Sequence, residues 1–191
     1  SVVEECERSL RRLKTDYMYL YQCHWRDSTT PVEDTMEAVA KLLKQGKIRA
    51  SGVSNYTVED IEAARRVAPI ASDQPPYSML RRDIEDDVLP YCKENGIGIL
   101  AYSPLQGGLL TGKVTPDREF PPDDHRRYSK LYSQTNRKRV LEFLDDLRDI
   151  AEAHNATFAQ LAVNWTIHRP GITAALVGAR GGGARRRRRR G

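Results

Sequence analysis

Long apolar runs are missing from this chain. No segment approaches the roughly 20 residues that a membrane helix needs, so no membrane partner is expected. Cysteine is scarce: Cys6, Cys23 and Cys92 are odd in number and form no CxxC pair, which argues against a disulfide framework and fits a reduced, cytoplasmic compartment. The four histidines, His24, His125, His154 and His168, share no ligand spacing with cysteine or with one another, so no metal site is expected. The opening "SVVEECERSLRRLK" has no initiator Met and lacks the basic-then-apolar order of a signal peptide, and it reads as the start of a piece from within a gene product. No GxGxxG loop follows any strand-like stretch, which counts against a Rossmann fold.

What is present is an ordinary globular balance, 39% hydrophobic and 30% charged over 191 residues, enough for one domain with a sizeable core. The net charge of +5 belongs to one place. Setting aside the six arginines Arg185–Arg190 leaves −1 for the rest, so residues 1–180 form a nearly neutral body and residues 181–191 a Gly/Arg tail that reads as disordered.

Along the body, strand-like and helical stretches alternate. Ser1 with Glu4 forms a capping box before Val3, Cys6, Leu10 and Leu13 at helical spacing. "DYMYLYQCHW" reads as a strand, and Thr30-Pro31-Val32-Glu33 as a second capping box with Pro at the first helical position. "KIRASGVSN" is the next strand, and Thr57 with Asp60 opens a helix. "IASDQ" is a short strand, residues 84–95 a helix, and "GIGILAYSPL" a strand. A long loop follows from Gly107 to about Ser133. Helices are expected near 136–154 and 157–168, the second opened by Thr157 and Gln160, and "ITAALVGA" closes the series.

Five strands with helices between them imply a parallel sheet, open or closed into a barrel. Polar and special residues gather at the strand C-terminal ends: His24, Ser54-Asn55, Gln74 and Tyr102-Ser103. In a (β/α)8 TIM barrel that end carries the active site, and a full barrel has eight strands where this chain shows five.

The blocks "TDYMYLYQCHW", "GKIRASGVSNY", "DQPPYSMLRR", "GIGILAYSPLQGGLLTGK" and "ALVGAR" resemble, in order and spacing, strands four to eight of the aldo-keto reductases. The resemblance implies an α/β (β/α)8 barrel present as its C-terminal five βα units. It also implies NADP(H)-dependent reduction of aldehydes or ketones, with a small-molecule carbonyl as substrate. In that scheme a tyrosine gives the proton to the carbonyl oxygen, a lysine and an aspartate lower its pKa, and a histidine positions the carbonyl.

On this resemblance His24 falls on the positioning histidine, where a plain reading is a histidine satisfied at a strand end. Trp25 would line the substrate pocket or serve packing. Ser54, Asn55 and Gln74 match the residues that hold the nicotinamide carboxamide, although Ser and Asn also cap loops readily. Tyr102 matches the aromatic under the nicotinamide, a position otherwise typical of core. Ser103, Pro104, Leu105, Gln106 and Gly107 match the segment around the pyrophosphate, where backbone N–H groups approach phosphate closely. Lys113 and Arg126 match basic residues near the phosphates, against a reading as surface charge. Arg180 matches the start of the 2′-phosphate contact, a task suited to a guanidinium.

The family's tyrosine, lysine and aspartate belong to its first three βα units, and no block here matches them. The chain alone is therefore expected to be inactive. A free parallel edge also makes self-association a possible route to covering it. A different reading is a non-catalytic, nucleotide-sensing regulatory subunit resembling the potassium-channel β subunits. The body offers no nucleic-acid fold, so only the Arg185–Arg190 run could attract nucleic acid through counterion release.

Overall fold

Three helices start where a side chain closes a loop onto its own backbone. Ser1 accepts from the Glu4 N–H while Glu4 reaches back, opening α1 (Val2–Leu13). Thr57 and Asp60 do the same for α3 (Val58–Arg65), and Thr157 with Gln160 for α7 (Phe158–Ile167). The capping box expected at Thr30 does not form. The Thr30 hydroxyl donates to Asp27 Oδ2 at 3.0 Å and accepts from no helix N–H, and α2 (Val32–Lys44) begins behind Pro31 with no side-chain cap.

This computed structural model describes residues 1–178; Arg180 and the run 181–191 lie outside the described residues. Two compact units divide them. One comprises residues 1–76, 82–102 and 170–174, the other residues 77–81, 103–169 and 175 onward. No helix among the described residues is long and apolar enough to cross a membrane.

In the first unit β1 (Met18–Cys23), β2 (Ile48–Val53), β3 (Ser72–Asp73) and β4 (Gly98–Tyr102) pair in parallel, and the Ile172–Leu176 strand, β5, follows β4 in the sheet. Neighbours follow chain order without reversal, the order of a barrel arc rather than of a doubly wound sheet. The register sets Cys23 beside Val53 and Val53 beside Asp73, so the three strands finish level. Every functional candidate just past those ends is thereby brought to one rim. Under the sheet, Met36, Val39 and Leu42 of α2 and Ile61 of α3 are fully buried with Ile48, Val53 and Ile99.

The expected helix over 84–95 is two pieces, a 3-10 turn at Asp83–Glu85 and α4 (Val88–Glu94). Asp86 ends the first, and Asp87 caps the second by accepting from the Val88 N–H. Pro90 then sits in the first turn of α4, where its missing N–H costs nothing.

The second unit packs α5 (Gln134–Asp146) and α7 over Leu105, Leu109, Leu110 and Phe120, with α6 (Arg148–Ala153) between them in the chain. The single helix expected over 136–154 breaks at Leu147, whose N–H turns to Leu144 O, three residues back instead of four. The apolar spacing runs unbroken across that break, so periodicity cannot see it. The loop after Gly107 holds short 3-10 turns anchored on Phe120. Three guanidiniums, of Arg118, Arg126 and Arg137, lie 4.6–5.7 Å from that ring, and Tyr132 meets it edge-on at 5.8 Å.

Asp73 is the one group in the first unit at odds with its surroundings. It is fully buried, and neither carboxyl oxygen has a hydrogen-bond partner. The nearby Gln74 N–H, already donated to Val53 O at 2.9 Å, offsets little of the burial. Burial moves its pKa from 3.8 up to about 7, and Asp73 in turn helps burial push the Cys92 thiol up to about 12.

A carboxyl whose folded pKa lies above its unfolded value is compatible with the fold when protonated. Stability is therefore greatest below the unfolded pKa and is lost as pH rises toward 7, approaching about 4 kcal/mol above that window. Asp73→Asn is expected to raise the urea midpoint of this unit at pH 8 and to leave it nearly unchanged at pH 4. Equal midpoint shifts at both pH values would refute the assignment.

In the second unit Gly107 has φ 57°, and a Cβ there would overlap the Tyr132 hydroxyl. Gly107→Ala should cost about 2–3 kcal/mol from strain and overlap together. Tyr132→Phe, which loses the hydroxyl's bond to Gln106 O at 3.1 Å, should cost about 1 kcal/mol. Because the second change removes the atom that the first collides with, the double variant should lose less than the sum. Strict additivity in a denaturant cycle would contradict this account.

Candidate active site

At the C-terminal ends of β1 to β4, side chains from the ends of four strands and the residues just after them close a hydrogen-bonded rim. Asn55 has φ 61°, a left-handed conformation that asparagine tolerates better than most residues. From there its amide donates to the backbone carbonyl of His24 at 3.1 Å and to Ser54 Oγ at 3.0 Å. Its Oδ1 accepts from the Tyr102 hydroxyl at 2.8 Å. Ser54, 2% exposed, donates to Gln74 O at 2.6 Å. The Gln74 amide donates to Gln22 Oε1 at 2.8 Å. Four of the residues expected from sequence, Ser54, Asn55, Gln74 and Tyr102, thus form one connected set with the His24 backbone.

The His24 ring is exposed and lies 5.9 Å from the ring of Trp25, itself 63% exposed. Both line a cavity of about 700 Å3, together with Gln22, Cys23, Asp27 and Asp34. The neighbouring Cys23 thiol is pushed up to about 11 by burial, which makes it a poor nucleophile. The tyrosines in and just before β1 are occupied elsewhere: Tyr17 donates to Tyr19, and Tyr21 donates to the carbonyl of Val2.

In the second unit the segment Ser103–Gly107 is held from within. Pro104, Leu105 and Gln106 are buried, while Ser103 and Gly107 are exposed. Ser103, Gln106, Gly107 and Gly108 all have positive φ, from 46° to 103°, so the chain coils tightly and the Gln106 N–H closes on Ser103 O at 2.8 Å. Non-glycine residues in this region carry backbone strain, which persists where the surroundings over-determine the shape. Here Tyr132 and Arg126 fix it through Gln106 O and Gly107 O, each at 3.1 Å.

Arg126 is also gripped bidentately by Asp124, whose carboxyl is held well below the usual carboxylate range by that guanidinium. Its charge is largely matched in place, and it braces the segment. Lys113 is exposed nearby in sequence. Arg180 lies outside the described residues. No group of three or more His, Cys, Asp or Glu among the described residues could hold a metal ion.

Three residues of the rim carried no sequence signal. Gln22 and Ser72 meet by side chain, Nε2 to Oγ at 3.3 Å, across the strand between them. They can do so because Gly52 lies in that gap: a Cβ there would come within 2.9 Å of Ser72 O and 3.0 Å of Gln22 Cγ. The pairings span 30 to 50 residues and depend on register, which no local pattern encodes.

The sequence profile of the aldo/keto reductase family matches residues 1–182. Aldo-keto reductase YhdN of Bacillus subtilis is 43% identical over 180 residues, covering 94% of this chain and 54% of that protein. The NADH-specific methylglyoxal reductase of Escherichia coli is 32% identical, covering 94% and 55%. Among solved structures, the glycerol dehydrogenase AKR11B4 of Gluconobacter oxydans superposes with a TM-score of 0.86 at 38% identity, over 90% of this chain and 53% of that one. The chain spans about half the length of the relatives it matches. The rim of His24, Asn55, Gln74 and Tyr102, at the ends of strands in barrel order, is borne by a chain that belongs to the aldo-keto reductase family.

Proposed function

We propose that this chain carries the coenzyme-holding part of an NADP(H)-dependent oxidoreductase that reduces aldehydes or ketones to alcohols. The observation that carries the reading is the rim itself, in which Asn55 and Gln74 are held in fixed orientation. Gln74 Oε1 accepts no hydrogen bond from the described residues and is half-buried, a free acceptor suited to a carboxamide N–H. The Tyr102 hydroxyl is tied to Asn55, which fixes the ring as a stacking surface.

When bound, a reduced nicotinamide supplies the hydride that such chemistry needs. The residues of this chain do the rest of the holding. Ser54, Asn55 and Gln74 orient the carboxamide, and Tyr102 lies against the ring. His24 hydrogen-bonds the substrate carbonyl, with Trp25 beside it at the cavity. Ser103, Pro104, Leu105, Gln106 and Gly107 offer backbone to phosphate, helped by Lys113 and by Arg126 as the brace. One relative is by its name NADH-specific, so the choice of NADP(H) here rests on Arg180, whose guanidinium suits a 2′-phosphate. No position between Ser1 and Arg180 matches the proton-donating tyrosine, its lysine or its aspartate, and turnover is assigned to a protein that also contains the preceding units.

Titration of coenzyme against tryptophan fluorescence tests the reading. Gln74→Ala should weaken NADPH at least tenfold, about 1.4 kcal/mol. Arg180→Ala should weaken NADPH similarly and leave NADH unchanged. Coenzyme affinity indifferent to Gln74 would sink the assignment. In a protein completed with the first three βα units of a relative, His24→Ala should lower kcat about a hundredfold and leave NADPH binding within twofold. An unchanged kcat would remove His24 from the chemistry.

A further inference from the structure

Gln22 lies near the end of β1, one residue before the Cys23-His24 pair, and its side chain crosses toward β2 and β3. Both ends of its amide are bonded. Nε2 donates to the carbonyl of Val53 at 3.2 Å and to Ser72 Oγ at 3.3 Å, and Oε1 accepts from Gln74 Nε2 at 2.8 Å.

An amide side chain has a donor end and an acceptor end, and the two differ little in shape. A neighbour must decide which way each one faces. Here the deciding group is a backbone carbonyl, which can only accept. Val53 O therefore requires the NH2 of Gln22 to face it, and Gln22 can then offer only Oε1 to Gln74. Gln74 is obliged to answer with its own NH2, and its Oε1 is left as the unpaired acceptor. The polarity runs in one direction from the β2 backbone through Gln22 to Gln74.

We propose that Gln22 is a positioning residue that sets which end of the Gln74 amide meets the coenzyme. The proposal rests on the coenzyme reading above. With Gln74 Oε1 as the free end, the nicotinamide carboxamide must present its NH2 there, and a group lacking that NH2 leaves Gln74 Oε1 unpaired. Gly52 belongs to the same device, since any side chain there would part Gln22 from Ser72.

The test compares NADP+ with its 3-acetylpyridine analogue, in which a methyl replaces the carboxamide NH2, using the full chain. The parent should bind the analogue at least tenfold more weakly. Gln22→Met, of similar length but with no amide, should narrow that gap to within about threefold, because the Gln74 amide is then free to turn. Gln22→Glu still accepts from Gln74 Nε2 and should keep the gap. In the free chain, the Gln74 side-chain amide protons should exchange slowly with solvent, at least tenfold faster in Gln22→Met.

A gap unchanged in Gln22→Met, or equal loss of both ligands, overturns the proposal and leaves Gln22 a packing residue. If Gln22→Met fails to fold, fast exchange of the Gln74 amide in the parent overturns it, as does loss of the gap in Gln22→Glu. A parent that binds neither dinucleotide while its Gln74 amide stays protected overturns the coenzyme reading itself, and this inference with it; that pattern differs from every failure of Gln22 alone.

Discussion

The rim depends on one side chain in a left-handed turn. Asn55 leaves β2 with positive φ, and that geometry swings its amide back over the strand ends it has just passed. Two donors and one acceptor then meet the His24 carbonyl, Ser54 Oγ and the Tyr102 hydroxyl. Parallel strands cannot be joined by tight hairpins, so their ends are independent loops unless something ties them. Asn55 is that tie between the segments after β1, β2 and β4. An aspartate would tolerate the same backbone but has no N–H for the His24 carbonyl, and a glycine would have no amide at all. The residue type follows from the bonds.

Much of the fold was legible because its signals are local. Ser1 with Glu4, Thr57 with Asp60, and Thr157 with Gln160 each satisfy a helix start with residues three apart, and all three form as the spacing predicts. At Thr30 the box does not form: its hydroxyl donates back to Asp27, and α2 has no side-chain cap. The breaks at Asp87 and Leu147 were hidden from the sequence pattern. Hydrophobic spacing reports which face is buried, and that face stays buried across a one-residue change in hydrogen-bond partner.

The candidate site was legible only in part. Its residue types stood out as polar groups at strand ends, and the family's block order named them. Which atom bonds to which was not readable. Gln22 looks like any polar residue of an edge strand, and Gly52 like a strand glycine of no special purpose. Their meaning appears when the register places Cys23, Val53 and Asp73 side by side, so that Gln22, Gly52 and Ser72 fall in one row across three strands. Arg126 shows the converse. Its charge suggested a phosphate ligand, and its bonds to Asp124 and Gly107 O make it a brace for the segment that would meet one.

Two polar side chains near the end of the sheet, Gln22 and Asp73, make the same point from opposite sides. Both leave water at least in part, and desolvation charges each for its polar atoms unless a partner is found. Gln22 finds one for each end of its amide, and once satisfied in a single arrangement it dictates the orientation of the next group in line. Asp73, one residue before Gln74, finds none, and its carboxyl is driven toward the neutral form. The difference lies in what faces them. Gln22 is met by a backbone carbonyl, a serine and an amide, whereas Asp73 has a buried thiol for a neighbour and an N–H already given away. A buried polar group specifies structure when its surroundings supply complementary ends in a fixed order. Without them it records only a cost, absent below the unfolded pKa and complete only above about pH 7.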